Sequence, residues 1–178
     1  VGEKLGISVK FQIIDWNSKE IELNAKNIDC IWNGMTIDED RKENMEISTP
    51  YMQNKQVMVL KTEDAGKYTD ELSLNGVEVV AENGEIVAQK DAMFSGCNYT
   101  AVASQADVLM EVFSGTAQVG LIDYVMSIGS IGEGTDYTNL TVADSMEFSP
   151  EEYGIAFRKG SDMAEKVNGA MSELAAEG

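Results

Sequence analysis

Cys30-Ile31-Trp32-Asn33-Gly34-Met35-Thr36-Ile37-Asp38-Glu39-Asp40-Arg41 carries an apolar strand into a glycine, a hydroxyl and, five residues beyond that hydroxyl, an arginine. The pattern reads as half of a carboxylate clamp. A glycine lets a ligand approach the backbone, and a threonine offers a hydroxyl. A guanidinium presents a planar fork of donors that a carboxylate matches two bonds at a time. The competing reading is a solvated arginine that follows an acidic triplet on the outside of a short helix.

Composition narrows the classes around that stretch. The 178 residues include 13 Lys and Arg against 31 Asp and Glu, a formal charge of -18. Phosphate neutralisation needs clustered basic residues, so nucleic acid and anionic membrane are excluded as main partners. Hydrophobic residues make up 43% and charged residues 25%, an ordinary globular balance, and no apolar run reaches the roughly 18 residues of a membrane span. The chain has no histidine, which removes the commonest general base, the Ser/His and Cys/His nucleophile pairs and most transition-metal sites. Nothing in the sequence demands a catalytic residue, metal or cofactor, and none is expected. Cys30 and Cys97 lack any CxxC or metal-ligand spacing and read as structural thiols, a bridge between them in an oxidising compartment being the lesser alternative. Val1 to Gly6 resembles the last turn of a helix, and Glu173 to Gly178 a helix reaching its final glycine. A chain cut at both ends is the expectation.

Strands and helices alternate along the sequence. Ile7, Val9, Phe11 and Ile13 have the period-two spacing of a strand over 7–14. A helix is expected from Asn17 or Ser18 to Ala25, a strand from Ile28 to Trp32, a helical turn over Asp38 to Glu43 and a strand over Met45 to Ile47. Val57 to Leu60 forms an unbroken apolar run of the kind buried on both faces, inside a strand from Gln56 to Lys61. The pattern restarts with a strand over Val77 to Ala81 and a helix from Gly84 to about Met93. Ser104 to Ser114 has Ala106, Leu109, Met110 and Phe113 at helical spacing and stops at Gly115. Strands over Gln118 to Ile122, Thr138 to Val142 and Tyr153 to Phe157, a helix after Asp123 and a last helix over Ser161 to Ala176 complete the series.

This order predicts an α/β protein of two lobes. Ligands of such sheets bind beyond the carboxyl ends of strands. Three loops qualify: the one after Trp32, with Gly34, Thr36 and Arg41; the one after Ala81, with Glu82, Asn83, Gly84 and Glu85; and the one after Ile122, with Asp123. An arginine on one lobe and an aspartate on the other suit the two poles of a zwitterion.

In order along the chain, Asp15-Trp16, Asn27-Ile28-Asp29 with the opening stretch, Ser48 with Pro50-Tyr51, Ser114-Gly115, Val119-Gly120-Leu121-Ile122-Asp123 and Glu152-Tyr153-Gly154-Ile155-Ala156-Phe157 resemble the polar amino-acid substrate-binding proteins of ABC transporters, solute-binding protein family 3. The resemblance covers nearly the whole chain. It implies a periplasmic-binding-protein fold: two α/β lobes, 1–53 with 153–178 and 54–152, joined by two crossing segments, with an amino acid enclosed in the cleft. Carried over by position, Arg41 would hold the ligand's α-carboxylate, assisted by Thr36 and the backbone of the Asn33-Gly34 turn, and Asp123 would take the α-ammonium. Trp32 or Tyr51 would pack on the ligand side chain, or else serve as core or hinge packing.

The loop after Ala81 departs from the family pattern. Relatives follow the glycine with small hydroxyl residues, whereas Gly84 precedes Glu85-Ile86. A carboxylate there contacts the ligand's ammonium or a basic side chain, or simply occupies the first turn of its helix. The acidic loop, with Glu82 and Glu85, favours a polar or cationic amino acid. The resemblance further implies a monomer outside the cytoplasm, free or lipid-anchored, that closes on its ligand and presents it to a membrane permease. The rival classes are a receptor ectodomain and a dehydratase-like or glycan-cleaving enzyme built on the same fold.

Overall fold

The computed structural model describes residues 1–84, 92–143 and 145–178 and shows an α/β protein. Its strands in chain order are β1 (Met45–Ile47), β2 (Met52–Lys61), β3 (Glu78–Glu82), β4 (Asn98–Val102), β5 (Val119–Asp123), β6 (Leu140–Val142), β7 (Pro150–Tyr153) and β8 (Ala156–Arg158). The chain divides into two compact units, Val1–Gln53 with Glu151–Gly178 and Asn54–Pro150. It passes from one to the other twice.

In the unit made of 54–150 the strands lie in the order β4-β3-β5-β2-β6. β3 is parallel to both β4 and β5, and β2 is antiparallel to β5 and β6. The apolar run of β2 is buried on both faces, as its composition predicts. Met58 and Leu60 join Val79, Ala81 and Leu121 on one side, over Leu74, Phe94 and Phe148. Val57 and Val59 join Val80 and Ile122 on the other, under Val108, Leu109 and Val112 of the helix Gln105–Ser114. That helix begins at Ser104, whose hydroxyl accepts the Asp107 amide, and ends on Gly115. Its buried face is Val108, Leu109 and Val112, one step round from the expected stripe. Met110 and Phe113 are exposed. Gly120 explains the shift, because the missing side chain lets Val108 and Val112 settle directly on β5.

In the other unit β1 pairs antiparallel with β8 over a core of Leu23, Ile31, Met35, Met45 and Ala156. The helix Met163–Glu177 packs Ala164 and Val167 on Ile155 and Phe157. Several expected elements take other forms. The segment 7–14 has the alternation of a strand but no ladder partner among the described residues, and Phe11 and Ile13 are 94% and 96% exposed. Alternation says which side chains would share a face; hydrogen bonds to a neighbour are what make a strand. The stretch 28–32 contributes one antiparallel bridge, Ile31 to Ala156, and the expected strand over 153–157 breaks at Gly154-Ile155 into β7 and β8. β4 was not anticipated, although Tyr99, Thr100 and Val102 are residue types common in strands. The expected helix from Gly84 to Met93 falls largely outside the described residues; Ala92–Phe94 form a single 3-10 turn.

Candidate functional site

The arginine half-site is built by two backbone bridges. Ile31 N–H donates to Ala156 O at 2.9 Å and Ala156 N–H returns the bond at 3.0 Å. The chain then turns at Gly34 with φ +58°, a left-handed conformation that a side chain resists, and rejoins through the bridge of Thr36 with Tyr153. Met35, fully buried, anchors this loop in the core. Asp38 caps the helix Glu39–Asn44 by accepting the Arg41 N–H at 2.8 Å, so the acidic triplet begins with a structural cap.

Arg41 is only 9% exposed, which the solvated-helix reading does not accommodate. Its Nη1 donates to the Thr36 carbonyl at 2.6 Å, and its Nε lies 3.8 Å from Asp38 Oδ2. The guanidinium is thereby held beside the Gly34 turn. The Thr36 hydroxyl donates to Glu151 Oε2 at 2.8 Å. Glu151 lies 115 residues away in sequence, and the pairing of Thr36 with Tyr153 brings it near. Trp32 and Tyr51 meet edge to face with ring centroids 6.1 Å apart, and Tyr51 leans on Tyr153 at 6.4 Å. Trp32 remains 46% exposed, and Asn33 beside it is exposed as well.

The aspartate half-site stands at one edge of the other unit's sheet. β3 and β5 are parallel neighbours with Ala81 opposite Leu121, so the loops after Glu82 and after Asp123 leave on the same side. β4 lies on one flank of β3 and β5 on the other, which makes the gap between β3 and β5 the switch point where strand order reverses. Glu82 and Gly84 are half-buried there, and Gly84 has φ +87°. Glu85, assigned above to ligand or helix, lies outside the described residues.

Asp123 is half-buried and its carboxylate is held by three side-chain amides. Oδ1 accepts Asn54 Nδ2 at 3.0 Å and Gln56 Nε2 at 2.6 Å, and Oδ2 accepts Gln105 Nε2 at 2.8 Å. Among the described residues Asp123 forms no ion pair. These three amides were missed from the sequence. The available signal was the polar head of β2, where Asn54 and Gln56 share one face of the strand and are both buried, with Gln56 directly opposite Asp123 in the register. The two free cysteines sit in separate units, and burial pushes both thiols up, helped at Cys30 by Asp29.

One unit thus gathers Arg41, Thr36, Gly34, Trp32 and Tyr51; the other gathers Asp123 near the loop of Glu82 and Gly84. A chain that builds two α/β units and crosses between them twice has the fold of the periplasmic binding proteins. The chain belongs to the bacterial extracellular solute-binding proteins, family 3, whose model matches residues 1–178. It is similar to the arginine-binding extracellular protein ArtP of Bacillus subtilis (strain 168), with 27% identity over 179 residues, 98% of this chain and 68% of that protein. It is also similar to the L-cystine-binding protein TcyJ of Escherichia coli (strain K12), with 27% identity over 183 residues, 100% of this chain and 66% of that protein. The chain therefore spans about two thirds of the length of these relatives. Among solved structures, a P235GK mutant of ArgBP from T. maritima superposes with a TM-score of 0.86 at 26% identity, covering 99% of this chain and 76% of that one. An ancestral arginine-binding protein bound to glutamine gives 0.86 at 26% identity, covering 98% and 77%.

Proposed function

We propose that this protein captures a free amino acid outside the cytoplasm and delivers it to the permease of an ABC transporter. The α-carboxylate is held by Arg41 with help from the backbone of Thr36 and of the turn at Asn33 and Gly34, since the single hydroxyl proton of Thr36 is given to Glu151, and the α-ammonium by Asp123. The observation that carries this reading is the pair of complementary poles. Arg41 is buried and oriented by Thr36 and Asp38, and Asp123 is fixed by neutral amides that leave its charge unmatched. A zwitterion would supply a cation for Asp123, which makes no ion pair among the described residues, and a closer carboxylate for Arg41 than Asp38 at 3.8 Å.

The ligand is a polar or cationic amino acid. Trp32 and Tyr51 form a partly exposed aromatic surface on the arginine unit, suited to a guanidinium or ammonium at the end of a side chain. Glu82, the last residue of β3, and Glu85, three residues on in the sequence, add negative charge. The relatives named for arginine and cystine are consistent with that class. Capture works by closure of the two units on the ligand, without chemistry, and the protein acts as a monomer, free or lipid-anchored. Among the described residues no helix is long and apolar enough to cross a membrane.

A thermal-shift screen of the chain against the common amino acids tests this. Arginine, lysine, histidine, cystine or glutamine is expected to raise the melting temperature, because ligand at about 100 times Kd stabilises by about 2.7 kcal/mol. A larger shift with glutamate or aspartate would overturn the side-chain preference. No shift with any amino acid would overturn the binding reading.

A further inference from the structure

An aspartate that starts a helix ordinarily folds its carboxylate back onto the first free backbone N–H groups. Asp123 precedes the helix Tyr124–Ser130 and does not do this. The Val125 N–H is taken instead by Asn54 Oδ1 at 3.4 Å, and the Asp123 N–H by Gln105 Oε1 at 3.0 Å. The same two amides turn their NH2 groups onto the Asp123 carboxylate. Asn54 and Gln105 therefore each make a two-way bracket, accepting a backbone N–H with the oxygen and donating to the carboxylate with the nitrogen. Gln56 supplies the third donor.

A carboxylate has about four lone-pair positions. Asn54 and Gln56 fill the two on Oδ1, and Gln105 fills one on Oδ2, which leaves one, on Oδ2. We infer that Asn54, Gln56 and Gln105 are positioning residues. Asn54 takes the Val125 N–H that the Asp123 carboxylate would otherwise cap, and the three amides together hold that carboxylate so that a single acceptor, on Oδ2 beside Gln105, faces the ligand's α-ammonium. The inference rests on the assignment of Asp123 to that ammonium. It adds that the ammonium makes one directed hydrogen bond to Asp123, and that neutral donors were required because a lysine or arginine in their place would have cancelled the charge the ligand needs.

The test combines calorimetry with amide exchange on the intact chain. Gln105→Leu keeps the bulk of the side chain and removes both arms of its bracket. It is expected to weaken binding of the amino acid by about tenfold or more, the scale of one hydrogen bond to a charged group. That loss should vanish in an Asp123→Asn background and for the deaminated analogue of the same amino acid. A loss that persists in either would show a merely structural role and overturn the inference, as would no loss at all. In ligand-free protein, Asn54→Leu should speed exchange of the Val125 amide and Gln105→Leu that of the Asp123 amide; unchanged rates would overturn the bracket. The exchange result stands even if the wild-type chain binds no amino acid, the outcome that removes the proposed function itself.

Discussion

Replacing Arg41 with alanine perturbs the arginine half-site most directly. The side chain is 11% exposed and has five N–H donors. One of them serves the Thr36 carbonyl and another approaches Asp38, which leaves enough of the fork to take a carboxylate in two bonds. Truncating one partner of a buried, hydrogen-bonded charge pair costs about 2–5 kcal/mol. That corresponds to a rise in Kd of roughly 30-fold to several thousand-fold. Part of any loss could come from the Thr36 contact, so the titration is run beside a thermal melt and beside Arg41→Lys. Lysine keeps the charge but loses the planar fork, and an intermediate affinity is expected. Isothermal calorimetry with the amino acid that gives the largest thermal shift reads all three proteins. A Kd within about twofold of wild type for a folded Arg41→Ala protein would refute the assignment.

Gly120→Ala would place a Cβ 2.6 Å from Val108 Cγ1 and 2.9 Å from Val112 Cγ2. Overpacking of this kind costs about 1–3 kcal/mol, a fall of roughly 2–12 °C in melting temperature for a chain of this size; an unchanged melt would contradict the helix packing described. Trp32 is exposed beside Tyr51 whereas Trp16 packs against the core, so ligand should change the tryptophan emission of the wild type. The change should disappear in Trp32→Phe, and its survival would move the ligand away from that aromatic pair. Cys30 and Cys97 have thiols raised above the ordinary range by burial first. A raised pKa means less thiolate at neutral pH, so both should alkylate slowly near pH 7 and faster as the pH climbs past 9. Rapid labelling of either at pH 7 would contradict its environment.

The sequence made the class of fold legible because its strongest signals are local. The apolar run of β2, the Ser104 cap with the Gly115 stop, and the turn from Gly34 to Arg41 each depend on neighbours a few residues away. What it hid depends on distant pairing. The alternation in 7–14 could not reveal that no described strand lies alongside, and β4 is a strand through its parallel pairing with β3, a distant partner in sequence. Helical spacing found the helix Gln105–Ser114 but misjudged its inner face, since Gly120 on another element decides which residues fit. In the site, Arg41 and Asp123 were visible by chemistry and by the family resemblance. Their supports, Glu151 beneath Thr36 and the three amides around Asp123, come from elements 18 to 115 residues away.

The central claim is that one ligand must present both an α-carboxylate and an α-ammonium. The most direct measurement is calorimetric titration of the wild-type chain with an amino acid, its decarboxylated amine and its deaminated acid, all sharing one side chain. Binding of the amino acid alone, with each analogue weaker by about tenfold or more, is the predicted result. An analogue that binds as tightly as its parent would contradict the claim, and the missing group would name the half-site, Arg41 or Asp123, that has been wrongly assigned.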